Sequence, residues 1–402
     1  GYRVAGVYTP NPAPPAPDPE RAIRSALAQP VGAPRLRDAA RGKRTALILV
    51  DDITRATPAD RIVPALLEEL AAGGLSHEAV TVMIALGTHR PMTPVEVERK
   101  LGAHVVRDVA VIQHDHTIAP LRDLGVTPNG TPIAVNRRLF DVDLVIGTGT
   151  VVPHHIPGYS GGAKIVQPGV SGAATTAATH MFSARAEQFL LGQVDNPVRA
   201  EMERIAEQSG LDFVLNVTLN DVGRLVSAHC GGTRPAFRRA VRDANAIYGV
   251  AAQHGLDVVV AGSHPCDIEF WQAHKSLYPA AMIVRPGGTI VLVTPCPEGV
   301  AVMHPDVLDY AAQPSGTIAA AYDRGAIADA VGASLAVAWA RVREYANVTI
   351  VSDGIGREDA RALGFTKAAD VTEALARALP GLTTEPALGV LTHAPDTLPM
   401  RA

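Results

Sequence analysis

Short apolar runs recur along the chain, each followed by polar or glycine-rich residues before the next segment begins. Residues 45–50 (TALILV) suit a buried strand, whereas RIVPALLEELAAGG, after Pro58, places its apolar positions at helical spacing and closes in glycines as a helix end does. Residues 79–86 (AVTVMIAL) predict a second strand, TPVEVERKLG a helix, and residues 143–150 (DLVIGTGT) a third strand. Because parallel neighbours need a crossover, this alternation predicts an α/β fold with doubly wound, mainly parallel sheets.

In the middle of the chain, residues 184–210 predict helices, FVLNVTLN and RLVSAHC a hairpin, and RPAFRRAVRDANAIYGVAAQHG one long helix. A second alternating set begins at residues 256–262 (LDVVVAG). It continues through TIVLVTP, a helical stretch over residues 317–345, and NVTIVSDGIG. The pattern predicts two domains, residues 1–249 and 250–402, with the C-terminal end packing back on the first and a ligand cleft between them. The run from Pro10 to Pro19 predicts an extended surface segment, since proline fixes φ and removes a donor.

The 402 residues are 47% hydrophobic, enough for each domain to bury its own core. Lys and Arg total 36 against 40 Asp and Glu, a formal charge of −4 without a long basic run, which argues against a nucleic-acid partner. The sequence has neither a long apolar span nor a start patterned as a signal peptide, so it reads as a cytoplasmic protein without a membrane partner. Cys230, Cys266 and Cys296 are far apart and read as small hydrophobes in a reducing compartment.

Candidate chemistry gathers just past the predicted strands, where open α/β sheets bind ligands. DDITRATP follows the first strand and GTHRPMT the second; VVPHHIPGYSGGAKIVQPGVSG follows the third, and SHPC, then WQAHK, follow residues 256–262. Each string has a bland alternative. Asp52 and Thr54 are good helix-cap types, a lone His89 after a strand is most often structural, and a Gly-Gly-x-Lys turn is most often a loop with a solvated lysine. Nor is GGAKI a Walker A loop, because Ala163 separates Gly162 from Lys164 and Ile165 follows it. Several such strings on one rim are harder to assign to turns alone.

Together they resemble the lactate racemase family, the nickel-pincer nucleotide-dependent racemases and epimerases of 2-hydroxy acids. His154 stands ten residues before Lys164 and His180 sixteen after it; Asp52 stands three before Arg55, and Gln272 three before Lys275. The resemblance implies a nickel-pincer nucleotide, a product of dedicated cofactor-synthesis enzymes, joined covalently to Lys164, with His180 as the protein's nickel ligand. It also implies His89 and His154 as acid/base groups, and Arg55, Gln272 and Lys275 around the substrate. Asp52, Thr54, Gly158, Ser160, Gly161, Gly162 and Trp271 would line the cofactor, with backbone N–H groups of GYSGGAK on its phosphate.

The residue types suit that chemistry independently. Racemising a 2-hydroxy acid by hydride removal needs an acceptor that no side chain offers, and therefore a cofactor. It needs bases for the hydroxyl of each antipode, and neutral histidines with pKa near ~6.5 are matched to that task. It needs a cationic clamp for the carboxylate, which Arg55 and Lys275 provide. Two other readings stay open: a nicotinamide-dependent 2-hydroxy acid dehydrogenase, against which the missing Gly-x-Gly-x-x-Gly counts, and a carboxylate-binding protein without catalysis, which would need no paired bases. His114 and His116 lack a third ligand nearby in sequence and read as structural, and His155, His264 and His274 receive no role. The sequence leaves the substrate open, with lactate or a similarly short acid as the default.

Overall fold

The computed structural model describes residues 2–380 and 385–401. Two six-stranded sheets organise these residues. The first runs in the order Leu225–Gly231, Phe213–Leu219, Leu144–Thr150, Ala46–Asp51, Val80–Ala85, Ala110–Gln113, and is parallel except for the hairpin at its edge. The second is wholly parallel: Arg3–Tyr8, Ala387–Leu391, Leu256–Gly262, Val284–Val293, Asn347–Val351, Thr366–Ala368. Residues 46–50 are all buried, as a strand covered on both faces requires.

In each sheet the chain leaves its central strand to one side and later returns to the other. The first switch lies between Ala46–Asp51 and Leu144–Thr150, whose carboxyl ends lead into Asp52–Arg55 and into His154. The second involves Leu256–Gly262, whose carboxyl end leads towards Gln272 and Lys275. Such switch points leave a crevice beyond the strand ends, so each sheet presents its own strings at one edge.

The helices expected after Pro58 and within TPVEVERKLG are present as Ala59–Ala72 and Pro94–Leu101, the latter opened by a Thr93–Glu96 capping box. Residues 185–196 are not helical. Gly192 adopts φ +78°, and the next helix, Pro197–Gln208, starts afresh with Asn196 as its cap. The long helix expected from residue 234 ends at Tyr248, and Gly249–Ala252 is instead a short strand paired with Leu398–Arg401. Residues 317–345 hold two helices, Ser315–Asp323 and Ala330–Tyr345, parted at Gly325 with φ +64°. Residues 11–16 of the proline-rich segment are outside any helix or strand, and Asp18 then caps the helix Pro19–Ala28.

A boundary at residue 249 is crossed by both ends of the chain. Arg3–Tyr8 belongs to the second sheet, while Leu398 joins a core cluster with Val151, Tyr159, Leu191 and Phe237 of the first half. Arg90 adds a polar link, donating to Glu298 at 2.7 and 3.0 Å and to Glu96 at 2.8 Å. Among the described residues no helix is long and apolar enough to cross a membrane.

Candidate active site

One cleft is lined by Asp52, Arg55, His89, His154, Ser160, Gly161, Lys164, His180, Trp271, Gln272 and Lys275. All six residues expected to carry acid/base, clamping or metal-binding roles therefore face a common space, although they come from both halves of the chain. His89 follows the strand Val80–Ala85 and His154 the strand Leu144–Thr150; His180 lies within the helix Ala173–Ala184, which packs on Ala330–Tyr345.

Asp52 anchors the polar network. Its Oδ1 accepts from the Thr54 backbone N–H at 3.0 Å and the Thr54 hydroxyl at 2.5 Å, and its Oδ2 lies 2.6 Å from His89 Nδ1. Burial by itself would raise this carboxyl, but His89, Arg55 and Thr54 outweigh it and hold Asp52 far below the usual carboxylate range. Across the cleft, Gln272 lies with its Nε2 3.0 Å from His89 Nε2, while its Oε1 accepts from Arg55 Nη1 at 3.3 Å and from Lys275 Nζ. Arg55 is further steadied by donation to the Thr54 carbonyl and hydroxyl at 3.0 and 2.8 Å.

Burial disfavours the charged forms of the other groups. Burial, reinforced by Arg55, Lys275 and Arg199, pushes Lys164 well below the ordinary lysine range, which favours its free amine form. Burial and then Lys164 push His180 down to about 3. Burial, with Lys164, His155, Lys275 and Arg55 behind it, likewise keeps His154 uncharged. Lys275 is pushed down to about 8, chiefly by burial and then by Arg55. The cleft thus sets the uncharged imidazoles of His154 and His180, and a Lys164 whose ammonium form is disfavoured, beside Arg55 and Lys275.

The glycine-rich segment differs in detail from its expected role. Ser160 and Gly161 face the cleft, but Gly158 and Gly162 lie outside its lining, as does Thr54, which acts through Asp52 and Arg55. The backbone N–H groups of Ser160 and Gly162 are already taken, by the Val152 carbonyl and Asn216 Oδ1, both at 2.9 Å. Gly162–Ile165 is only a single 3-10 turn. The glycines also permit close packing. At Gly161, φ is +78° and a Cβ would meet Val151 at 2.5 Å and Asn216 at 2.8 Å.

Sequence reasoning gave no role to several neighbours. His155 and His274 line the cleft, and His155 stacks between His154 and Tyr278 with ring centroids 4.8 and 4.1 Å away. Leu335 reaches the cleft from the middle of Ala330–Tyr345, where nothing in its local sequence marks it out. Trp271 lines the cleft and stacks on His304 at 4.1 Å. His114 is structural, its two nitrogens 3.1 Å from the Ser171 carbonyl and the Asn136 amide, while His264 is exposed beside Asp267.

Lys164 and His180 are the residues of this cleft that could hold a cofactor and a metal: one offers an amine whose ammonium form is disfavoured, the other an uncharged imidazole, to the same space. Among the described residues no three His, Cys, Asp or Glu side chains are grouped to hold a metal.

Residues 2–190 match the family described as the lactate racemase N-terminal domain. The lactate racemase of Thermoanaerobacterium thermosaccharolyticum is 29% identical over 285 residues, which span 70% of this chain and 66% of that protein. The lactate racemase of Lactiplantibacillus plantarum is 28% identical over 288 residues, 70% of this chain and 67% of that protein. Among solved structures, the lactate racemase apoprotein from T. thermosaccharolyticum superposes with a TM-score of 0.87 at 24% identity, covering 99% of this chain and 95% of that one. A Thermotoga maritima protein superposes with a TM-score of 0.73 at 22% identity, covering 94% and 97%. At these identities the superpositions speak for the fold.

Proposed function

The chain belongs to the lactate racemase family, and on that premise we propose that it is an isomerase inverting the Cα centre of a short 2-hydroxy acid, with lactate as the default substrate. The observation that carries this reading is the convergence of His89, His154, Arg55, Lys275, Lys164 and His180 on one cleft. Arg55 and Lys275 would clamp the carboxylate, His89 and His154 would attend the hydroxyl, and Lys164 and His180 would hold a nickel-pincer nucleotide, the lysine through a covalent link and the histidine through the metal. When bound, that cofactor supplies the hydride acceptor that the side chains lack. The hydroxyl proton passes to an imidazole of the chain and the substrate becomes a planar 2-keto acid. Trp271, Ile156 and Leu335 supply apolar walls to the cleft.

Protein made together with the cofactor-synthesis enzymes should interconvert D- and L-lactate by chiral analysis, without added nicotinamide. Substrate deuterated at Cα should keep its label in the inverted product in ordinary water. Washout of label into solvent overturns the hydride route, and strict dependence on a nicotinamide overturns the racemase reading.

Substrate capture should also depend on pH through Lys275. This ammonium is charged below about 8 and neutral above it, so the clamp loses a charge as pH rises. KM for the acid should climb above pH 8 while Arg55 retains part of the binding. In Lys275→Arg, whose charge persists, that climb should vanish from the pH profile of KM.

A further inference from the structure

A lysine in the last turn of a helix ordinarily sits in solvent, near the carbonyls of the helix end. Lys100 is in the last turn of the helix Pro94–Leu101 and is instead almost wholly enclosed, its side chain 6% exposed. Its Nζ donates to Asp51 Oδ1 at 2.7 Å and to the Arg55 carbonyl at 2.8 Å. One ammonium thus holds both the residue that ends the strand Ala46–Asp51 and the backbone of Arg55. The helix that follows the His89 string returns its last turn to the string that carries Asp52 and Arg55.

Asp51 and Asp52 are the carboxylates of the cleft lining among the described residues, and both stand where an acid is to bind. Gly149 shares that lining, and a Cβ there would stand 3.7 Å from Asp51 Oδ2. Asp52 is offset by His89 and Arg55. Asp51 is offset by Lys100, while its Oδ2 accepts from the Thr57 hydroxyl, whose oxygen in turn lies 2.7 Å from the Thr150 hydroxyl. A carboxylate left without its cation in such a place repels an incoming carboxylate, and more strongly than in water because the enclosed site screens poorly.

We infer that Lys100 is a positioning residue for substrate capture, which masks the charge of Asp51 from the incoming carboxylate and fixes the backbone of Arg55. The inference rests on the racemase reading for its substrate being an acid. Lys100 lies outside the cleft lining and acts through Asp51 and Arg55. The sign of the charge separates this role from a merely structural one. An ion pair that only holds the fold is lost equally from either side. A mask is not, because removing Lys100 leaves an anion facing the substrate, whereas neutralising Asp51 leaves a cation behind it.

Lys100→Met should raise KM for both antipodes of lactate by about 10–100-fold, the scale of one uncompensated charge close by in a poorly screened site. Its kcat should change by no more than about threefold, because other residues attend the hydroxyl and Cα. Asp51→Asn breaks the same ion pair from its other side but should not raise KM, and adding it to Lys100→Met should recover most of the loss. Steady-state kinetics on cofactor-loaded proteins, with melting curves on the same preparations, read the comparison. Equal rises of KM in the two single variants overturn the inference, as does a parental KM in Lys100→Met or a loss confined to kcat. Should Lys100→Met not fold, a rise of about tenfold in the KM of Asp51→Asn overturns it alone, and a double variant near the parental KM supports it. Absence of turnover in the loaded parent would instead overturn the racemase reading. Calorimetric titration of acetate, a bare carboxylate, then ranks the same proteins, and equal affinities for parent and Lys100→Met overturn the role of Lys100.

Discussion

Replacing His89 by alanine is expected to lower racemisation by about 10²–10⁴-fold in both directions, the range typical of a lost acid/base group. The loss belongs on kcat, because the carboxylate clamp of Arg55 and Lys275 and the amine of Lys164 lie outside the imidazole that is removed. Among the described residues His89 is the one histidine of the cleft whose ring is bonded to an ionised carboxylate, through Nδ1 to Asp52 at 2.6 Å, and this partner would stabilise an imidazolium formed there. Its far nitrogen meets only the Gln272 amide, a contact that a substrate hydroxyl can replace. Chiral progress curves from both antipodes, with circular dichroism and nickel content measured on the same preparations, check the result. A variant with folded spectra, full nickel and near-parent rates would remove His89 from the chemistry.

Changing Lys164 to alanine is expected to abolish covalent cofactor and reduce racemisation to the assay floor. Burial, and then Arg55, Lys275 and Arg199 around it, disfavour its ammonium form, which favours the nucleophilic free amine. Arginine at this position should fail as completely, since a guanidinium is not deprotonated in proteins. Intact mass of protein made with the cofactor-synthesis enzymes should show an adduct on the parent chain that is absent from both variants, with peptide mapping to locate it. An adduct retained in Lys164→Ala, or full activity without one, contradicts the assignment.

Much of this site was legible because its chemistry sits in short strings at strand ends. The apolar runs at residues 45–50, 79–86 and 143–150 identify strands locally, and a strand end in an open α/β sheet is already a ligand-facing position. Asp52 with Arg55, His154 with Lys164, and Gln272 with Lys275 could each be found by spacing within one string. The non-helical stretch at 185–196 was misread because its composition permits a helix. Gly192 lies against Leu398, some two hundred residues later, at a place where a Cβ would approach that side chain to 2.5 Å.

The sequence by itself determined which residue types stand at each strand end, the parallel α/β class those strands build, and the resemblance of the strings to the lactate racemase family. Tertiary structure decided how the strings meet. Gln272 reaches His89 across 183 residues and Arg55 across 217, and Arg3–Tyr8 completes the sheet of the opposite half. It also decided what each imidazole can do. His89 and His154 are the same residue type and read alike in sequence. A proton's place on a ring is nevertheless set by the nearest obligate donor or acceptor, Asp52 for one and the Ile156 N–H for the other, and only folding brings those atoms within hydrogen-bond reach.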